Sequence, residues 1–185
     1  MKVLGAFFAW LVVSIPYVDA FAATTDAAAD LKVWNAVVEH LCHGDFAQRV
    51  ILSAETRGVR DGQPAGLEAN QQVWSSLQAR NSRPAAVPSK VACHGLRVVP
   101  EGDIEGTFNR KEAKPPKWDR FSEVFAPAKS ILRLSAPGFS ATDDVALVLG
   151  SITGCDGFCD HGFYYELERR GTGWTVVRVV TAWIS

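Results

Sequence analysis

The chain has 185 residues, with 19 Lys and Arg against 20 Asp and Glu, and four cysteines. That is one domain's worth of chain, long enough to bury a core without cross-links. A formal net charge of −1 argues against a nucleic-acid binder, which presents a basic face, and six Trp with ten Phe argue against a disordered segment.

Residues 1–22 have the layout of a secretory signal. Lys2 supplies a minimal positive start, Val3 to Ile15 is almost wholly apolar, and Ala20-Phe21-Ala22 fits the small-x-small cleavage rule. The expected mature chain is a single domain over 23–185, exported to the periplasm or secreted. Its charge is unchanged, because Lys2 and Asp19 leave together. The apolar run is short of the roughly 20 residues that a span needs, and Pro16 interrupts it, so no stable membrane span is expected after cleavage.

A helix is predicted up to about Leu41, where Leu31, Trp34, Val38 and Leu41 form one apolar stripe and Gly44 can end it. Val50-Ile51-Leu52 reads as a short buried strand. Thr56 to Gly66 is loop, and a second helix is expected from Leu67 to Arg80 with Val73, Trp74 and Leu77 inward. Residues 81–117, punctuated by Pro84, Pro88, Pro100, Pro115 and Pro116, are the least legible stretch and their fold stays open, with candidate short strands at Val91 and Leu96–Val99. Trp118, Phe121, Val124 and Phe125 fall on one face of a short helix. From Ile131 the apolar period becomes two, which predicts four antiparallel strands at about 131–139, 144–153, 162–170 and 174–184. Helices followed by a strand meander make an α+β domain, by analogy cystatin-like or nuclear-transport-factor-like, with one helical layer on a curved antiparallel sheet.

The cysteines bear on chemistry as well as stability. In an oxidising compartment thiols pair. Four cysteines allow three pairings, and sequence alone leaves all three open. Locality favours Cys155 with Cys159, and Cys42 with Cys93 follows when all four are oxidised. Closing the five-residue 155–159 loop is worth about 2 kcal/mol and closing 42–93 about 4 kcal/mol. If Cys155 and Cys159 face each other across a turn, Leu147 faces Leu167, Leu149 faces Tyr165 and Ser151 faces Phe163, which gathers the apolar residues on one sheet face. A three-residue turn at Gly171-Thr172-Gly173 would set Val177 opposite Leu167, Val179 opposite Tyr165 and Glu166 opposite Arg178.

The C-terminal pattern Ala146-Leu147-Val148, Cys155-Asp156-Gly157-Phe158-Cys159, Gly162-Phe163-Tyr164, Leu167-Glu168, Gly173 and Trp183-Ile184-Ser185 resembles the ending of a group of secreted bacterial proteins. Upstream, Trp118-x-x-Phe121 and Ser135-x-x-Gly138-Phe139 share in the likeness, which covers about residues 118–185. This chain departs from that pattern at Asp156 and Asp160, where Gly is usual. The resemblance implies an envelope protein and carries no activity.

Chemical readings are weaker than structural ones. A redox Cys-x-x-Cys sits at a helix N-terminus, whereas this pair is spaced by three residues between strands. Cys155, Cys159 and His161, with Cys42, His43, Cys93 or His94, have the atoms for a metal site, but exported thiols pair first. No metal and no other cofactor is expected. The chain has no Gly-x-Ser-x-Gly elbow, His-Glu-x-x-His or Gly-rich phosphate loop. The expectation is a non-catalytic binding or structural module with no partner named by the sequence. Any pocket would lie between helix and sheet near Trp34, Trp118, Phe121, Tyr165 and Trp183. The alternative is a small hydrolase or isomerase using a His or Asp there.

Overall fold

The computed structural model describes residues 27–59, 62–63, 66–67, 71–108, 118–154 and 159–185. The expected signal segment and the tip carrying Cys155 lie outside them, as does the side chain of Cys159. Along the chain run α1 (Ala27–Leu41), α2 (Phe46–Arg49), β1 (Val50–Ser53), α3 (Gln71–Arg80), β2 (Arg97–Val99), α4 (Glu101–Phe108) and α5 (Trp118–Phe125). Then come β3 (Ser130–Leu134), β4 (Gly138–Phe139), β5 (Val145–Gly154), β6 (Cys159–Arg170) and β7 (Gly173–Ile184). The fold is α+β, as its order of helices and strands implies.

The strands form one sheet in the order β2-β1-β3-β5-β6-β7, with β4 pairing β5 beside β3. It is mixed where a purely antiparallel meander was expected, because β1 runs parallel to both β2 and β3. The expected strand 131–139 is two strands, since Ser135–Pro137 leaves the ladder. Val91 forms no strand, and α4 lies in the stretch whose fold the sequence left open.

Helices cover both faces, in place of the single expected layer. Val33, Trp34, Val37 and Val38 of α1 pack on Leu132, Leu134, Ala146, Val148, Tyr165 and Leu167. Val73, Trp74 and Leu77 of α3 pack on the opposite face, against Leu147, Leu149 and Tyr164. On that second face Ile104 of α4 and Phe121 and Phe125 of α5 close over Ile51 and Ile131. Val124 points away from this cluster and is 53% exposed, contrary to its expected inward position.

Two-sided burial explains the error in the β5–β6 register. Leu147 faces Glu166, Ala146 faces Leu167 and Val148 faces Tyr165, one residue away from the expected pairing. A slip is detectable from pattern only when one face is polar. Here neighbouring residues on both strands are apolar because each face has its own helix. The β6–β7 turn is also tighter than expected, with Arg170 opposite Gly173 and a two-residue Gly171-Thr172 connection. A bulge between Glu166 and Leu167 absorbs the offset, so that Tyr165 faces Val179 and Glu166 faces Arg178, as expected.

The two helical layers are tied at the segment that interrupts β3 and β4. Trp34 Nε1 donates to the Ser135 carbonyl at 2.8 Å. Asn81 at the end of α3 donates to the Ala136 carbonyl at 2.9 Å and accepts from the Ala136 amide at 2.7 Å. Arg80 donates to the Pro137 carbonyl and to both oxygens of Asp30, at 2.8–2.9 Å, in a pair with both side chains only 8% exposed. Gly138 lets α3 approach, because a Cβ there would lie 2.5 Å from the Leu77 amide nitrogen. Cys42 and Cys93 are bridged, joining the end of α1 to the loop before β2. Both thiols are thereby consumed and neither can serve as a metal ligand.

Three stability outcomes follow from these contacts. Arg80→Ala leaves the Asp30 carboxylate buried without its partner and should cost about 3–5 kcal/mol in denaturant unfolding. Pairing Arg80→Met with Asp30→Ala should recover part of that loss. Gly138→Ala should cost about 1–3 kcal/mol by forcing α3 off the sheet, and Cys42→Ser with Cys93→Ser about 4 kcal/mol by restoring the open chain. Wild-type stability in Arg80→Ala, in Gly138→Ala or in the double cysteine variant would contradict the assigned role.

Candidate functional site

On the face shared by α3, α4 and α5, each strand changes from apolar to polar as it leaves its core cluster. Ile51 is followed two residues on by Ser53, Ile131 by Arg133, and Leu149 by Ser151 and Thr153. Side chains two apart share a face, so these polar groups emerge between the α3 and α5 clusters. Register aligns them across the sheet. Arg133 faces Ser151, Ser151 faces Gly162 and Gly162 faces Trp183. Ser53 extends this row as the next position after the Leu52–Leu132 pair.

Each member of the row is held from above. Glu101, in the first turn of α4, accepts from Arg133 Nη2 at 2.7 Å and from Arg133 Nε at 3.2 Å. Its other oxygen accepts from Ser53 Oγ at 2.6 Å. Arg57 donates to Ser151 Oγ, and its guanidinium lies 4.8 Å from the centre of the Trp183 ring. The ring lies over Gly162, where a Cβ would overlap it. The loop bearing Arg57 is pinned on both sides: Arg57 N donates to the Leu134 carbonyl at 2.8 Å and Thr56 N to the Ala85 carbonyl at 2.8 Å. Ala85 N donates in return to Thr56 Oγ1, also at 2.8 Å. Thr153 Oγ1 donates to Asp160 at 3.1 Å, across β5 and β6.

Together these groups line an open cleft of about 450 Å³, bounded by Thr56, Arg57, Glu101, Arg133, Thr153 and Asp160, with Glu55 and Pro84 beside them. That size lies within the usual range for small-molecule sites, about 300–1,000 Å³. Burial works to raise the Glu101 pKa, but hydrogen bonds from Arg133 and Ser53 and the Arg133 charge outweigh it and hold the carboxyl below the ordinary glutamate value. Glu101 is therefore an anion at neutral pH, suited to accepting hydrogen bonds and poorly suited to giving up a proton.

The five aromatics expected around one pocket are divided among three clusters. Trp34 and Tyr165 lie in the α1 core, where burial pushes the Tyr165 hydroxyl up to about 12. Trp118 and Phe121 pack together in the α5 cluster, with ring centres 5.1 Å apart. Only Trp183 borders the cleft, through Arg57. His40 is exposed, its ring edge-on to Tyr165 at 6.1 Å, and His161 sits against Phe163 at 6.2 Å. The Cys155–Cys159 pairing falls outside the described residues. The sequence reading missed Arg57, Glu101, Arg133 and Ser53 as a group. Its usable signal was the apolar-to-polar change at period two in three strands; the one-residue register error hid the alignment of those changes.

Glu101 predicts a pH dependence of defined sign. A carboxylate whose folded pKa is depressed contributes its full stabilisation above its unfolded value, about 4.3. That contribution is lost as pH falls from there through the lower folded value. Unfolding curves at neutral pH and near pH 3 should show a larger acid loss for wild type than for Glu101→Gln. Equal acid loss in the two proteins would contradict the pairing.

Comparison with protein families, curated proteins and solved structures gives no match for this chain, so the reading of the cleft rests on its own geometry.

Proposed function

We propose that this chain is an exported cell-envelope protein that works as a binding module, with the polar cleft as its binding site. The observation that carries the reading is the Arg133–Glu101–Ser53 network. It sets a guanidinium and a carboxylate, both already hydrogen-bonded, on the wall of an open cleft. Groups held in place before a ligand arrives lose little freedom on binding. The same hydrogen bonds keep Glu101 ionised, which favours recognition over acid catalysis. The export reading draws on the signal pattern of residues 1–22, and the Cys42–Cys93 bridge is of the kind that persists in an oxidising compartment.

The hydrolase or isomerase alternative retains one supporting observation, because Asp160 lines the cleft. Its carboxylate accepts from Thr153, and among the described lining residues no histidine stands beside it to shuttle a proton.

Two measurements test the proposal. N-terminal sequencing of protein from the envelope fraction should begin near Ala23; an intact Met1 on membrane-bound protein would refute export. Amide NMR of the mature protein, titrated with saccharides, amino acids, polyamines and phosphate, should show shifts centred on the cleft residues Thr56, Arg57, Glu101, Arg133, Thr153 and Asp160 with at least one class. No shift at these positions with any class would remove the binding role. Turnover of an added ester or glycoside abolished by Asp160→Asn would favour the enzyme.

A further inference from the structure

We propose that the cleft takes a neutral polyhydroxyl ligand, a saccharide or similar polyol; this rests on the binding reading above and gives it a ligand class. The argument begins with charge. Among the described lining residues are two guanidiniums, Arg57 and Arg133, and two carboxylates, Glu101 and Asp160, with a third acidic residue, Glu55, exposed at the rim. Arg133 and Glu101 are already neutralised by each other at 2.7 Å. An anion drawn to Arg133 must compete with Glu101, and a cation drawn to Glu101 must compete with Arg133. Either exchange gives up a formed, half-buried ion pair. A neutral ligand leaves the pair intact and needs no counter-charge.

The hydrogen-bonding inventory selects among neutral ligands. Carboxylates offer paired acceptors and guanidiniums paired donors in flat, fixed arrays. A hydroxyl both donates and accepts, so adjacent hydroxyls on a ring can engage one oxygen of a carboxylate and one N–H of a guanidinium side by side. Thr153 adds a hydroxyl that donates to Asp160 and retains acceptor capacity for a further donor. An apolar ligand would strip water from whatever donors and acceptors these groups still turn to the cleft, at a cost of about 1–3 kcal/mol for each one left unmade. The arginines are immobilised before binding, Arg133 by Glu101 and Arg57 between Ser151 and the Trp183 ring. That fixity suits the weak, directional bonds through which a polyol is held.

The test uses the mature protein and defined probes: glucose, N-acetylglucosamine and cellobiose against putrescine, alanine and inorganic phosphate. Tryptophan fluorescence reports the contact through Arg57 and Trp183, with Trp183→Phe identifying the responding ring, and amide NMR locates the site. A neutral saccharide should bind with a dissociation constant that is unchanged between about 20 mM and about 500 mM NaCl, since screening acts only on charge–charge attraction. Arg133→Lys keeps the charge and loses the fork, and should weaken binding about tenfold. Thr153→Val, a near-isosteric change at the cleft wall, should weaken it measurably without altering the fold. Preference for phosphate, putrescine or alanine with a steep salt dependence would overturn the saccharide inference and leave the binding module standing. Failure of every probe to shift the cleft residues would overturn both.

Discussion

Burial of the central strands on both faces is the constraint from which the rest of this structure follows. Leu147 and Leu149 of β5 sit under α3, while Ala146 and Val148, one residue away on the same strand, sit under α1. Tyr164 and Tyr165 divide in the same way on β6. Two helical layers must then be held at fixed positions on opposite sides of a single sheet. The Asp30–Arg80 pair and the hydrogen bonds to Ser135, Ala136 and Pro137 do this where β3 gives way to β4. Leaving the ladder there frees backbone groups that α1 and α3 can both reach. A buried ion pair contributes little net stability, but its geometry is specific. Its function here is to fix one helix relative to the other.

The polar row exists because the second face is covered by two separate clusters. Between the α3 cluster and the α4–α5 cluster no apolar helix face lies on the sheet; Arg133 and Thr153 are partly exposed there, while Ser53 and Ser151 are buried beneath the groups they hydrogen-bond. Ser53, Arg133, Ser151 and Thr153 occupy that gap, and the loop 54–57 and the first turn of α4 supply Arg57 and Glu101 above it. The position of Glu101 at the start of a helix is itself favourable, since helix N-termini stabilise negative charge. The cleft is thus a consequence of how the helices divide the sheet, and its charged groups are set by the same packing that builds the two cores.

Much of the frame was legible from local pattern. The stripe through Trp34 and Val38 marked α1, Val73, Trp74 and Leu77 marked α3, and Val50–Leu52 marked β1. The β6–β7 hairpin was recognisable from its turn residues, and its central pairs, Tyr165 with Val179 and Glu166 with Arg178, are those expected. Helix α4 was not legible, because over eight residues it buries only Ile104 and Thr107 and carries two glycines. The one-residue shift in β5–β6 was not legible either, because alternation gives no direction where both alternating sets are apolar. The cleft was hidden for a further reason. Arg57, Glu101, Arg133 and Ser151 are spread over nearly a hundred positions of the chain, and nothing in their spacing marks them as neighbours.

What the sequence determined by itself was therefore local: the approximate places of α1, α3, α5, β1 and the C-terminal strands, the α+β class, the pattern of an export signal, and the presence of cysteines in numbers that can pair. These depend on periodicity, turn chemistry and composition, which are properties of short windows. Tertiary structure alone decided that β1 runs parallel to β2 and β3, that the sheet is covered on both faces, that Cys42 meets Cys93, and that Arg133 finds Glu101 and Ser53. Each of these is a pairing between distant segments. Such pairings are chosen by the joint packing of all the apolar faces, and no single window of sequence contains that information.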